Sequence, residues 1–113
     1  HYHNLNKRFN LIVPNQGAIA NLRNDAVVEV PAYVNRKGVE AISLRKPIPD
    51  FHKGLMEAQV AAEKLLVDAY FENSYQKALQ AFTLNLTVPS VILAKKILDE
   101  MIEVNGDLWP KLK

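Results

Sequence analysis

Val27-Val28-Glu29-Val30-Pro31-Ala32-Tyr33-Val34, then Asn35-Arg36-Lys37-Gly38, then Val39-Glu40-Ala41-Ile42-Ser43-Leu44 reads as strand, tight turn and strand. β-Branched and aromatic residues fill the first run, and the second alternates with period two. Asn35 and Gly38 supply the backbone freedom a hairpin turn needs. Pro31 has no N–H to give a ladder, which predicts an edge position or a bulge. Upstream, Phe9-Asn10-Leu11-Ile12-Val13 is a third short β-prone run, closed by Pro14-Asn15-Gln16-Gly17. Downstream, Pro47 and Pro49 end the β region, and the hydrophobic period changes abruptly.

From Asp50 to Phe71 the pattern is helical, with Asp50 placed to cap the N-terminus. Apolar positions cover most of this helix, and Lys53, Glu57, Lys64, Asp68 and Glu72 form a narrow polar stripe. Burial on most sides is the expectation. Gly54 in the first turn costs about 1 kcal/mol against alanine, which predicts a close backbone approach there. After a break at Asn73-Ser74, residues Tyr75, Leu79, Phe82 and Leu86 fall on one face of a second helix. A third starts at Pro89-Ser90, where the serine can cap, and runs to about Val104. Val91, Ala94, Leu98 and Met101 are its expected core face, and Lys95–Asp99 and Lys96–Glu100 its i,i+4 pairs. Met56 also reads as core. Gly106 suits the position after the helix, and Trp109-Pro110 opens a non-helical tail.

The predicted fold class is therefore α+β, three short antiparallel strands followed by three helices. Three strands can bury one face against helices and leave the other uncovered. The 113 residues suffice for one domain. An apolar share of 49% against 23% charged is ordinary globular composition. No apolar run reaches the roughly 20 residues a membrane-spanning helix needs. With no cysteine, disulfides, thiolate metal sites and cysteine nucleophiles are excluded. Residues 1–53 carry eight Lys/Arg against four Asp/Glu, and residues 54–113 six against eight. The basic residues are scattered pairs, Lys7-Arg8, Arg36-Lys37 and Arg45-Lys46, without interleaved aromatics. They read as solvated loop and strand ends rather than as a nucleic-acid face.

No catalytic constellation assembles from the residues. His1 and His3 lie two apart with no nearby carboxylate, short of a three-ligand zinc site. His52, beside Asp50 and Lys53, reads as surface or cap chemistry. Tyr33 and Lys37 have the Tyr-x-x-x-Lys spacing of short-chain dehydrogenases, but they straddle a strand end and a turn, and no Gly-rich phosphate loop accompanies them. Glu57 and Glu63 share one helix without a facing carboxylate, so paired acid–base glycosidase chemistry has no support. No serine has triad partners.

Several segments, taken in order, resemble the C-terminal part of glycoside hydrolase family 4. They are Val13-Pro14-Asn15-Gln16-Gly17-Ala18-Ile19, Val28-Glu29-Val30-Pro31, Gly54-Leu55-Met56-Glu57 with Gln59, and Ala62-Glu63-Lys64-Leu65. Ser74-Tyr75-Gln76-Lys77-Ala78-Leu79-Gln80-Ala81, Thr87-Val88-Pro89-Ser90, Ala94-Lys95-Lys96-Ile97-Leu98-Asp99 and Trp109-Pro110-Lys111-Leu112 complete the set. The resemblance spans residues 8–113. The Ser-Tyr-Gln-Lys string and the Trp-Pro near the end look more like the 6-phospho-α-glucosidase branch than the 6-phospho-β-glucosidase branch.

That resemblance implies a fold similar to the lactate/malate dehydrogenases, an NAD-binding Rossmann domain followed by an α+β catalytic domain. The whole of residues 1–113 then reads as the C-terminal portion of that second domain, about a quarter of an enzyme, without the Rossmann domain. It also implies an NAD-dependent hydrolysis of phosphorylated disaccharides that is unusual among glycosidases. The C3 hydroxyl is oxidised, the C2 proton becomes acidic and is removed, and the C1 substituent is eliminated. Water then adds, and the ketone is reduced. A divalent metal, typically Mn2+, polarises the carbonyl. The family's Gly-rich loop, Cys and His metal ligands, catalytic acid and Tyr base all lie upstream of the matching region. The expectation is thus no catalytic, cofactor-binding or metal residue in this chain, and NAD and Mn2+ held by the parent alone. The implied parent is cytoplasmic and homo-oligomeric, with no nucleic-acid or membrane partner. An assembly module, in which the second and third helices supply subunit contacts, and the β-glucosidase branch stay open beside it.

Overall fold

The computed structural model describes residues 6–113. The chain divides into two compact units, residues 1–54 and 55–113.

In the first unit, β1 (Lys7–Pro14), β2 (Val27–Asn35) and β3 (Gly38–Ala41) form one antiparallel sheet in the order β1-β2-β3. All three expected strands are present. Pro31 corrects the sequence reading, because β2 is the central strand and its register runs unbroken from Lys7↔Val34 to Pro14↔Val27, without a bulge. In an extended strand the N and C=O of one residue point to the same side. The Pro31 carbonyl accepts from the Ile42 N–H at 2.8 Å, so the proline nitrogen also faces the β3 side. Pro31 stands opposite Ile42, one step past the last pair Ala32↔Ala41, and the missing donor leaves that position with one of its two bonds, so the β2–β3 ladder stops there. β3 is shorter than the expected Val39–Leu44 because its continuation is drawn away, with the Leu44 N–H donating to the Ala18 carbonyl at 2.8 Å.

Only alternate residues of β2 are buried, namely Val28, Val30 and Ala32. Ala18, Ile19, Leu22 and Ala26 of the long β1–β2 connection complete the apolar core of this unit. Each large aliphatic among them contributes about 1.5–3 kcal/mol of burial. The opposite face of the sheet carries exposed Ile12, Val27 and Tyr33, so one side is left uncovered as expected. The β2–β3 turn is a two-residue loop between the paired Asn35 and Gly38, with the Lys37 N–H donating to the Asn35 Oδ1 at 2.8 Å. Gly38 takes the positive φ of 121° that a side chain would resist.

α1 (Asp50–Glu72) starts in the first unit and runs into the second. Asp50 is its first helical residue rather than its cap, since the Pro49 carbonyl accepts the first helical bond from the Lys53 N–H at 2.9 Å. The carboxylate still sits at the positive end of the helix dipole. Burial on most sides does not hold for this helix. Ala62 and Ala69 are its buried residues, while Phe51, Leu66, Val67, Tyr70 and Phe71 are exposed. Nor does the backbone pass closely at Gly54, where an added Cβ would meet no heavy atom within 4 Å.

α1 ends at Asn73, whose φ of 54° is left-handed, and the Ser74 N–H returns to the Ala69 carbonyl at 2.9 Å. This is a Schellman stop. Ser74 then caps α2 (Tyr75–Leu84) by accepting from the Lys77 N–H, and Ser90 caps α3 (Val91–Asn105) by accepting from the Leu93 N–H. Ala69, Ala78 and Leu98 form the buried cluster of this unit, with Tyr75, Leu79, Phe82, Ile102, Trp109 and Leu112 packed around it. Leu86 departs from the expected face because α2 stops two residues before it, leaving it exposed. On α3, Ala94 and Leu98 face inward as expected, but Val91 and Met101 are exposed, and Ile102 takes the core position. Met56 is half-buried rather than core. Gly106 caps α3, a 3-10 turn follows at Gly106–Leu108, and the tail from Trp109 folds back on the cluster.

Candidate functional site

Among the described residues of the first unit, Asn15 is the polar side chain that is fully buried, just past the end of β1. Gln16 and Gly17 follow with positive φ of 42° and 91°, reversing the chain. That reversal lets the Asn15 side chain serve the loop it opens. Its Nδ2 donates to the carbonyls of Ile19, Leu22 and Arg23 at 3.1, 3.0 and 3.0 Å, and its Oδ1 accepts from the Ile19 N–H at 2.7 Å. Its own N–H donates to Ala26, and its carbonyl accepts from Ala18. A buried amide satisfied on every side is a scaffold device rather than a reactive group. Asn21 extends the arrangement, exchanging two hydrogen bonds with the backbone of Ile48 at 2.9 and 3.0 Å. Both asparagines were missed as structural centres. The signal available was an Asn directly before a positive-φ turn, which sequence reading takes as turn chemistry alone.

In the second unit, Tyr75, Lys95 and Asp99 cluster on the surface. The Tyr75 hydroxyl donates to one Asp99 oxygen at 2.6 Å, and the Lys95 ammonium to the other at 2.5 Å. Lys95 also lies 5.8 Å from the Tyr75 ring centroid. The hydrogen bond to Asp99 raises the Tyr75 pKa above its ordinary value. Asp99 is held below the usual carboxylate range by Lys95 first and Tyr75 second. A phenol so held keeps its proton and has its hydroxyl occupied, and the trio ties α2 to α3. Lys77 does the same for α1 and α2 through Glu72 at 2.6 Å and Asp68 at 3.8 Å, and the Glu72 hydrogen bond raises its pKa.

The residues weighed from sequence do not converge. His1 and His3 lie outside the described residues. His52 is exposed on α1, edge-on to Phe51 with ring centroids 5.4 Å apart. Tyr33 lies on β2 and Lys37 in the turn, without the helix their spacing would require. Glu57 and Glu63 are exposed, and Glu63 accepts from Gln59 at 2.8 Å. The expected pairs Lys95–Asp99 and Lys96–Glu100 both form, the second at 3.8 Å. Among the described residues, no three His, Cys, Asp or Glu side chains gather to hold a metal, and no helix is long and apolar enough to cross a membrane.

A profile described as the family 4 glycosyl hydrolase C-terminal domain matches residues 1–88. The chain belongs to that family. The matched stretch begins earlier than the resemblance noted from residue 8, takes in His1 and His3, and stops at Val88. The maltose-6'-phosphate glucosidase of Clostridium acetobutylicum is 54% identical over 110 residues, 97% of this family 4 chain and 25% of that protein. A crystal structure of a 6-phospho-α-glucosidase from gut microorganisms, in complex with NAD and Mn2+, superposes with a TM-score of 0.93 at 51% identity. It covers 99% of this chain and 25% of that one. A 6-phospho-β-glucosidase of Thermotoga maritima, with manganese, NAD+ and glucose-6-phosphate, superposes at 0.85 with 31% identity, covering 97% and 26%. The chain thus spans about a quarter of the length of the relatives it matches. Among the described residues of this family 4 chain no three His, Cys, Asp or Glu side chains gather, and its sequence has no Gly-x-Gly-x-x-Gly loop.

Proposed function

We propose that residues 1–113 are the C-terminal part of the catalytic domain of an NAD- and divalent-metal-dependent 6-phospho-α-glucosidase that cleaves phosphorylated disaccharides. The carrying observation is the gap in identity between the two branches, 51% to the α-specific structure against 31% to the β-specific one. In this reading the chain supplies scaffold, while an upstream Rossmann domain and the remaining catalytic residues hold NAD, Mn2+ and sugar. The Asn15 and Tyr75–Asp99 arrangements support a structural role, since each polar group in them is already engaged. A phosphorylated disaccharide and NAD are both charged molecules that a bilayer retains where they are made, which supports a cytoplasmic parent enzyme.

The test is p-nitrophenol release from the α- and β-glucoside 6-phosphates, with NAD and Mn2+, by the longer protein and by this chain in parallel. Release confined to the longer protein and the α substrate is the expected result. Preference for the β substrate would move the branch. Release by the 113-residue chain itself would overturn the scaffold reading.

A further inference from the structure

α1 carries two apolar stripes, and the second unit uses one of them. Ala62 and Ala69 turn inward. Met56, Val60, Val67 and Phe71 follow one another at steps of four, seven and four residues, so they share a face roughly opposite that pair. Val67 is 55% exposed, Phe71 76% and Tyr70, beside them, 60%. Around the same helix, Leu66 and Tyr70 join Ala69, Ala78, Trp109 and Leu112 in lining a pocket of about 180 Å3. The Trp109 indole N–H is buried and finds no acceptor among the described residues.

We propose that this second stripe and the adjoining pocket are a docking seam for the upstream polypeptide of the same enzyme, which lays an apolar segment along them. The inference rests on the reading of this chain as one part of a longer glucosidase. Two observations select that occupant over a second copy of the chain. The chain spans about a quarter of its relatives' length, so most of each relative lies outside the matched region. The open area is also small. Leu66, Val67, Tyr70 and Phe71 at these exposures offer about 400 Å2, about half of the roughly 800 Å2 each partner contributes to a stable dimer. A covalently attached segment does not have to meet that threshold, because its effective concentration is high.

The experiment places single cysteines by Val67→Cys, Phe71→Cys and, on the polar stripe, Asp68→Cys. Each is made in the longer protein and in the 113-residue chain. Alkylation rates are read by mass on the tryptic peptide Leu65–Lys77, so cysteines elsewhere do not interfere. The seam predicts that Val67→Cys and Phe71→Cys react about tenfold or more slowly in the longer protein than in the chain, while Asp68→Cys changes little. Equal rates at Val67→Cys and Phe71→Cys in both proteins would overturn it. So would equal slowing of all three cysteines, or concentration-dependent protection in the chain alone, which marks a second copy. Glucosidase activity of the unmodified longer protein is scored separately. Cleavage with an open stripe rejects the seam and keeps the reaction, and protection without cleavage does the reverse.

Discussion

The Tyr75 hydroxyl donates to Asp99 across 2.6 Å, joining the first residue of α2 to the third turn of α3. The two partners titrate in opposite directions from their ordinary values. Asp99 is depressed, so its contribution to stability is present above the unfolded carboxylate pKa and is lost as pH falls through the lower folded value. Tyr75 is raised, so its contribution is present below the unfolded phenol pKa and is lost as pH rises through the higher folded value. The helical unit should therefore show an acid edge below about pH 4 and an alkaline edge above about pH 10. Urea midpoints taken across pH will show Tyr75→Phe flattening the alkaline edge and Asp99→Asn flattening the acid one. A Tyr75→Phe profile that overlays the wild type would mean the bond contributes nothing in solution.

Asn15→Ala strips four hydrogen bonds from a fully buried loop centre and strands an N–H and several carbonyls. A loss of about 3 kcal/mol is expected. Hydrogen exchange at the Ile19 amide, which donates to the Asn15 side chain, reads the local effect directly. Asn15→Asp should be worse at neutral pH and recover partly in acid, because an ionised carboxylate would face three carbonyls and only a protonated one can donate.

Leu98→Ala opens a cavity in the second unit, where Leu98 is fully buried against Ala69 and Ala78. The expected cost is about 2–5 kcal/mol. Trp109, the sole tryptophan of the sequence, packs on the same cluster, so its fluorescence follows that unfolding. Val91→Ala, on an exposed position of the same helix, should cost much less.

Two glycines should respond with opposite sign. Gly54→Ala fills open space in a helix and should stabilise the 113-residue chain by about 0.5–1 kcal/mol. Gly17→Ala also meets no neighbour, but at a φ of 91° the new side chain is strained, and a loss of about 1–2 kcal/mol should appear in the denaturant midpoint.

The order of elements was legible because each local signal agreed with its neighbours. The Asn35–Gly38 turn, the Ser90 cap and the Gly106 stop all sit where chemistry demanded. What failed was reading that depends on neighbours in space. Pro31 implied an edge because sequence cannot show that β3 ends one residue early on the side where its N–H would have pointed. Met101 and Ile102 are adjacent and both apolar, and a rotation of one position along α3 decides which is buried. The surplus apolar coverage of α1 was correctly seen, but burial was inferred from composition, whereas this chain brings cover to one stripe only. No residue pattern announces a fully bonded core asparagine such as Asn15, since the partners are backbone groups that every residue carries.

The tail beyond Trp109 is fastened at Lys113. The Lys113 N–H donates to the Asn73 carbonyl at 2.7 Å, and the Lys113 carbonyl accepts from the Tyr75 N–H at 3.1 Å, one of the donors a helix start leaves open. Lys113 thus clasps the corner between α1 and α2 and draws Leu112 onto the core. Both clasps are main-chain bonds, so most side-chain substitutions at Lys113 leave them in place, whereas Lys113→Pro removes the donor of the first.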